Sequence, residues 1–140
     1  MDCVFCRIVR GEESAYVVYE DDCVMAILDK YPMSRGHTLV MPKRHYRDIT
    51  EVPSDELCRV IGVVKVVAMA VMRALGVPGV RIMQNNGAAA GQVVFHAHFH
   101  VIPMEGRVGG RYCLTDEEGR EVSAVLSREV REILGTGGLG

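Results

Sequence analysis

Tryptophan is missing from this chain, and Phe and Tyr together make up only 6% of its 140 residues. Any core must therefore be filled by Val, Ile, Leu, Met and Ala. An excess of one charge is missing too. The 16 Lys+Arg stand against 18 Asp+Glu, a net charge of −2, which gives no support to a broad basic face for duplex nucleic acid. No apolar run reaches the roughly 18 uncharged residues a membrane span needs. The most apolar stretch, Val60 to Leu75, is broken by Lys65 and Arg73. The start, Met1-Asp2-Cys3, lacks a basic region followed by an apolar run, so no signal peptide is expected and the expected compartment is cytoplasmic. There the five Cys (3, 6, 23, 58 and 113) are expected as thiols or metal ligands rather than as a disulfide framework. Repeats, low-complexity blocks and charged tails are absent. What is present, 49% hydrophobic and 24% charged residues, is too apolar for disorder and suits one globular domain. A chain of this length buries roughly 70% of its unfolded surface.

Local patterns predict an α+β domain with a mostly antiparallel sheet, one long helix and smaller helices. Cys3 to Arg10 reads as one or two helical turns closed by Gly11. Tyr16 to Glu20 and Cys23 to Asp29 read as strands across the turn Asp21-Asp22, and Thr38 to Met41 as a strand stopped by Pro42. Ser54 is the expected N-cap of a helix from Asp55 to Leu75. That helix has few polar residues, so it is either buried within its own domain or covered on one side by a second subunit. Gly79 to Asn85 reads as a strand, Gly87 to Gly91 as a small-residue loop, and Val93 to Ile102 as a strand ended by Pro103. Glu117 to Leu134 reads as an amphipathic helix, and the Gly-rich end, residues 135–140, as frayed.

The chemistry concentrates in Phe95-His96-Ala97-His98-Phe99-His100-Val101-Ile102-Pro103. On a strand, period two puts His96, His98 and His100 on one face and Ala97, Phe99 and Val101 on the other. Unpartnered imidazoles are costly to bury, so the His face must meet polar partners, a metal or a ligand. Two uses stay open: metal chelation by all three rings, or one ring as a nucleophile with neighbours positioning substrate. The preceding Asn85-Asn86-Gly87-Ala88-Ala89-Ala90-Gly91-Gln92 has small residues that let backbone N–H groups approach an anion, which favours phosphate chemistry.

Residues 91–103 resemble the His-φ-His-φ-His-φ-φ signature (φ apolar) of the histidine triad (HIT) superfamily. Cys3 to Val9, Ala26 to Asp29 and Gly36 to His45 resemble its other blocks, in the same order and spacing over residues 3–103. The resemblance implies a HIT-like fold, joined as a homodimer through the helix from Asp55 to Leu75. It implies a single domain over residues 1–140, with a core at 3–103 and a C-terminal extension, 104–140, that carries a helix. It further implies attack on the α-phosphorus of a nucleotide. His98 would be the nucleophile that forms a nucleotidyl-histidine, flanked by His96 and by His100 on the phosphate oxygens. Asp29 would bind the ribose hydroxyls, as a carboxylate accepts two donors well. Asn85, Gly91, Gln92 and Val93 would line the phosphate and leaving group, Phe5, Ile8 and Ile27 the base, with His37 in support. The substrate class implied is a nucleoside phosphoramidate or a dinucleoside polyphosphate, with a purine nucleoside monophosphate as the bound unit. A non-catalytic module that holds such a nucleotide is the alternative.

Two features qualify this likeness. Val93 stands where a phosphoramidate-cleaving branch of the superfamily has a Ser, so leaving-group assistance by a hydroxyl is absent here. The Cys3-x-x-Cys6 pair is similar to one that, in some superfamily members and in related uridylyltransferases, joins two His around zinc. By resemblance those are His45 and His96, a Cys2His2 set expected to hold a structural ion.

Overall fold

Alternation of side chains along three central strands divides the domain into two unlike halves. The computed structural model describes residues 3–106 and 112–137. In chain order the elements are α1 (Val4–Val9), β1 (Val17–Glu20), β2 (Val24–Leu28), β3 (Thr38–Pro42), α2 (Ser54–Leu75), β4 (Gly79–Met83), β5 (Phe99–Met104) and α3 (Asp116–Gly135). Short 3-10 turns lie at Ile49–Glu51 and Ala88–Ala90. The strands form one antiparallel sheet in the order β1-β2-β3-β5-β4.

Val24, Ala26 and Leu28 of β2, Val40 of β3 and Val101 of β5 point to one face. There they bury Val60, Val64, Val67 and Val71 of α2 together with Val122, Leu126, Val130 and Ile133 of α3. The intervening residues, Met25, Ile27, Leu39 and Met41, point to the other face and pack on Cys3, Phe5 and Ile8 of the N-terminal segment. Register carries this second face across the sheet. Ile27 stands opposite Leu39, Leu39 opposite His100, and His100 opposite Met83. Directly paired residues share a face, so one row of four side chains runs from β2 to β4.

The α+β class and antiparallel sheet are as expected from the sequence, and three local expectations need correction. Ser54 is not the N-cap of α2. Pro53 occupies that place with extended φ −57° and ψ 142°, and Ser54 is already helical. The strand expected from Val93 to Ile102 is regular only over Phe99–Met104, and Pro103 does not end it but pairs with Val80. The strand expected to reach Asn85 ends at Met83. The expected helix from Glu117 to Leu134 lies within Asp116–Gly135, capped by the Thr115 hydroxyl, which accepts from Glu118 N at 3.1 Å. Gly138 to Gly140 of the expected frayed end, and residues 107–111 of the extension, lie outside the described residues.

Candidate active site and metal centre

Each histidine of the triad has one ring nitrogen tied to a group that fixes where its proton sits. A carbonyl oxygen can only accept, so a ring nitrogen facing one must carry hydrogen. His98 Nδ1 lies 2.6 Å from the carbonyl oxygen of His96. Nδ1 therefore donates, and Nε2 keeps its lone pair. His96 Nε2 donates to the Pro42 carbonyl at 2.8 Å, which leaves the lone pair on Nδ1. His100 is set through a relay. Met33 N donates to His37 Nδ1 at 3.0 Å, so the proton of neutral His37 is on Nε2, 3.0 Å from His100 Nδ1. His100 Nδ1 accepts, and its Nε2 carries the remaining hydrogen. Burial pushes the pKa of His37 and His98 below the ordinary imidazole value and that of His96 and His100 down to about 4, so all four rings are neutral at pH 7.

His98 and His100 form part of the wall of a cavity of about 580 Å³. Its apolar lining comes from Phe5 and Ile8 of α1, from Ile27 and Leu39 of the sheet, and from Val94. Its polar lining includes Asp29, Asn85, the Gly91 backbone and the two imidazoles. Only 8% of His98 is exposed, so Phe5, whose ring meets it edge-on at 5.2 Å, and its other neighbours leave it little surface beyond the cavity. Asp29 Oδ1 accepts from Tyr31 N at 2.9 Å, and Oδ2 lies 3.5 Å from His37 Nε2. Gly91 turns the loop before the histidines at φ +93°, a left-handed value that favours glycine.

The arrangement around His96 has different chemistry. Cys3 Sγ and Cys6 Sγ each lie 3.6 Å from His96 Nδ1, and Cys6 Sγ lies 3.4 Å from His45 Nδ1. All four candidate ligand atoms fall within 4.8 Å of one another. A tetrahedral zinc with Zn–S of about 2.3 Å and Zn–N of about 2.0–2.1 Å separates sulfur from nitrogen by about 3.6 Å. The donor set therefore fits zinc, and the Pro42 carbonyl orients the His96 ring as an outer partner of a metal-bound imidazole does. The three triad rings do not form one chelate. His96 groups with the thiols, His100 with His37 and Asp29, and His98 with neither among the described residues.

Of the residues singled out from sequence, Phe5, Ile8, Ile27, Asp29, Asn85, Gly91, Val93, His98 and His100 all line the one cavity. Three others stand behind its wall: His37 against His100, His96 at the thiols, and Gln92 in the loop base. Both polar ends of the Gln92 amide are occupied. Oε1 accepts from Gly87 N at 2.8 Å, and Nε2 donates to Arg47 O at 2.7 Å and Val94 O at 3.1 Å. Gln92 thus holds the loop shape. Leu39, Met83, Val94 and Tyr31 also line the cavity and were not anticipated. Leu39 and Met83 were open to inference from the alternation that puts them beside His100. Nothing in the sequence marked Tyr31 or the Met33 N–H.

Residues 10–107 match the HIT domain. The chain belongs to the HIT family. A HIT-like protein of Saccharolobus solfataricus is 46% identical over 135 residues, which span 94% of this chain and 97% of that one. The adenylylsulfatase HINT3 of Arabidopsis thaliana is 40% identical over 134 residues, 95% of this chain and 66% of that protein. Among solved structures, a zinc-bound histidine triad family protein from Mycobacterium smegmatis superposes with a TM-score of 0.88 at 37% identity, covering 97% of this chain and 98% of that one. Among the described residues of this HIT protein, no helix is long and apolar enough to cross a membrane.

Proposed function

We propose that this HIT protein is a nucleotide-conjugate hydrolase or transferase that works through a covalent nucleotidyl-histidine on His98. The single observation that carries the reading is the His98–His96 hydrogen bond of 2.6 Å, which leaves Nε2 unprotonated on a ring that lines the cavity. In the first step the Nε2 lone pair attacks the α-phosphorus. The N–P bond forms, and the bond to the leaving group breaks with its electron pair going to that group. Water then attacks phosphorus, the N–P bond breaks, the pair returns to Nε2, and the water proton passes to solvent. His100 Nε2–H donates to a phosphate oxygen, a donor placed before charge builds up. Asp29 receives the ribose hydroxyls, and Phe5, Ile8 and Ile27 receive a purine base. Candidate substrates are nucleoside phosphoramidates and dinucleoside polyphosphates. The relative described as an adenylylsulfatase adds adenylyl anhydrides to that set.

Cys3, Cys6, His45 and His96 would hold zinc, with a structural role: all four positions are protein-filled and none opens toward His98 chemistry. A homodimer is the expected assembly. Ile61 and Met72 of α2 are 47% and 40% exposed, and Ile82 on the edge strand β4 is 43% exposed, which leaves apolar surface for a second copy. A non-catalytic nucleotide-holding module is the second reading. It draws on Val93, which is 85% exposed and has no hydroxyl, and on the spent amide of Gln92, since neither can protonate a leaving group. Rapid mixing with adenosine 5′-phosphosulfate, quenching and intact mass spectrometry separate the two. An adenylyl adduct on the wild type that disappears in His98→Asn is the expected result. Tight adenylate binding with neither adduct nor turnover would transfer the protein to the second reading.

A further inference from the structure

The lining of the cavity combines buried apolar side chains with one exposed aromatic ring. Ile27 and Leu39 rise from the sheet, and Phe5 and Ile8 come from α1. These are aliphatic and aromatic groups packed into the core, and Phe5 is 6% exposed. Tyr31 also lines the cavity, yet it is 88% exposed. In a chain with no Trp and 6% aromatics, so exposed a ring on a residue that lines a cavity is conspicuous. Its backbone is not loose. Tyr31 N donates to Asp29 Oδ1 at 2.9 Å, Pro32 next to it is buried, and Met33 N is fixed on His37 Nδ1. A tethered backbone thus carries a ring that has found no protein surface to pack on.

We propose that Tyr31 stacks on the exposed face of the nucleobase, so that a purine lies between this ring and the apolar wall of Phe5, Ile8 and Ile27. The inference rests on the nucleotide reading above and adds to it a base-covering residue. The same carboxylate proposed to take the ribose hydroxyls holds the Tyr31 N–H, so sugar and base recognition share one turn. Stacking depends on ring area, so AMP should bind better than CMP, while ribose 5-phosphate should not sense Tyr31.

Titration calorimetry on the full chain with AMP, CMP and ribose 5-phosphate tests this. Base stacking on an aromatic side chain corresponds to a change of about 5- to 150-fold in affinity. Tyr31→Ala should weaken AMP binding by at least about fivefold and leave ribose 5-phosphate within about twofold, and Tyr31→Phe should keep AMP affinity. Tyr31→Trp places the sole tryptophan of the chain at this point, and AMP but not ribose 5-phosphate should quench its fluorescence. AMP affinity unchanged in Tyr31→Ala, or an equal loss for ribose 5-phosphate, overturns the stacking role while the nucleotide reading stands. No AMP binding by the wild type overturns the nucleotide reading and this inference with it.

Discussion

Replacing His37 by Phe tests the relay that sets the His100 proton. In the wild type, Met33 N donates to His37 and His37 donates to His100 Nδ1, each across 3.0 Å. Phe fills similar space and can do neither. Without His37 no donor holds His100 Nδ1 as an acceptor, and the Asp29 carboxylate, whose candidate ligand atom lies within 4.8 Å of that of His100, favours a proton on the side of the ring it faces. With the proton on Nδ1, Nε2 turns a lone pair toward the phosphate of the proposed substrate. One donor to the developing charge is lost, which elsewhere costs about 10²- to 10³-fold in rate. The fall should be in kcat more than in KM, because the bond strengthens as charge builds. Met33 is 36% exposed, so water can meet its freed N–H, and loss of that bond costs about 0.5–1.5 kcal/mol of stability; the variant should melt slightly earlier and still fold. Steady-state kinetics, a melting curve and long-range proton–nitrogen NMR of the His rings are the measurements. A kcat within about threefold of wild type, or a wild-type His100 protonated on Nδ1, would refute the relay.

Two further expectations concern stability. Purified protein should carry one zinc per chain by elemental analysis, and Cys6→Ser should reduce this to a small fraction while cooperative unfolding persists. Well under one zinc per wild-type chain, with Cys3→Ser folding normally, would sink the metal site. Gly119→Ala should destabilise by about 1–3 kcal/mol, because a Cβ there would lie 2.6 Å from two carbons of the Tyr16 ring. An unchanged melting temperature would show that the ring moves aside freely.

The sequence was more informative about the type of an element than about which face a side chain takes. The run of α2 reads as a helix by its length, whereas β2 and β3 are apolar and buried on both sides, so their sequence does not tell which side chains meet α2 and which meet α1. The His row was legible as chemistry but not as geometry. Period two puts three rings on one strand face, whereas only His100 lies in β5. Upstream, Ala97 N donates to Tyr46 O at 2.7 Å and His98 turns back on His96 O, so the backbone leaves the ladder and the rings separate to different partners. Those partners are mostly backbone groups, at Pro42, His96 and Met33, which have no residue signature. Capping shows the same limit. Thr115 with Glu118 three residues on carries a readable Thr-x-x-Glu pattern, but the choice of Pro53 over Ser54 depends on how the Ile49–Glu51 turn delivers the chain.

The placement of α1 ties the candidate metal ligands to the cavity rather than to the larger core. A helix of 6 residues has too few hydrogen bonds to persist alone, and its N-cap, Cys3, makes no side-chain cap bond. Its strongest attachments are the burial of Phe5 and Ile8 and the thiols aimed at His45 and His96. Phe5 and Ile8 also wall the cavity that His98 lines, and the Phe5 ring meets His98 edge-on. The larger cluster, from Val18 to Ile133, contains none of the four candidate ligands and closes the domain without them. A metal bound by Cys3, Cys6, His45 and His96 would act on the local opening of α1, and so on the shape of the cavity that Phe5 and Ile8 line. The sheet and its two long helices would keep most of their stability.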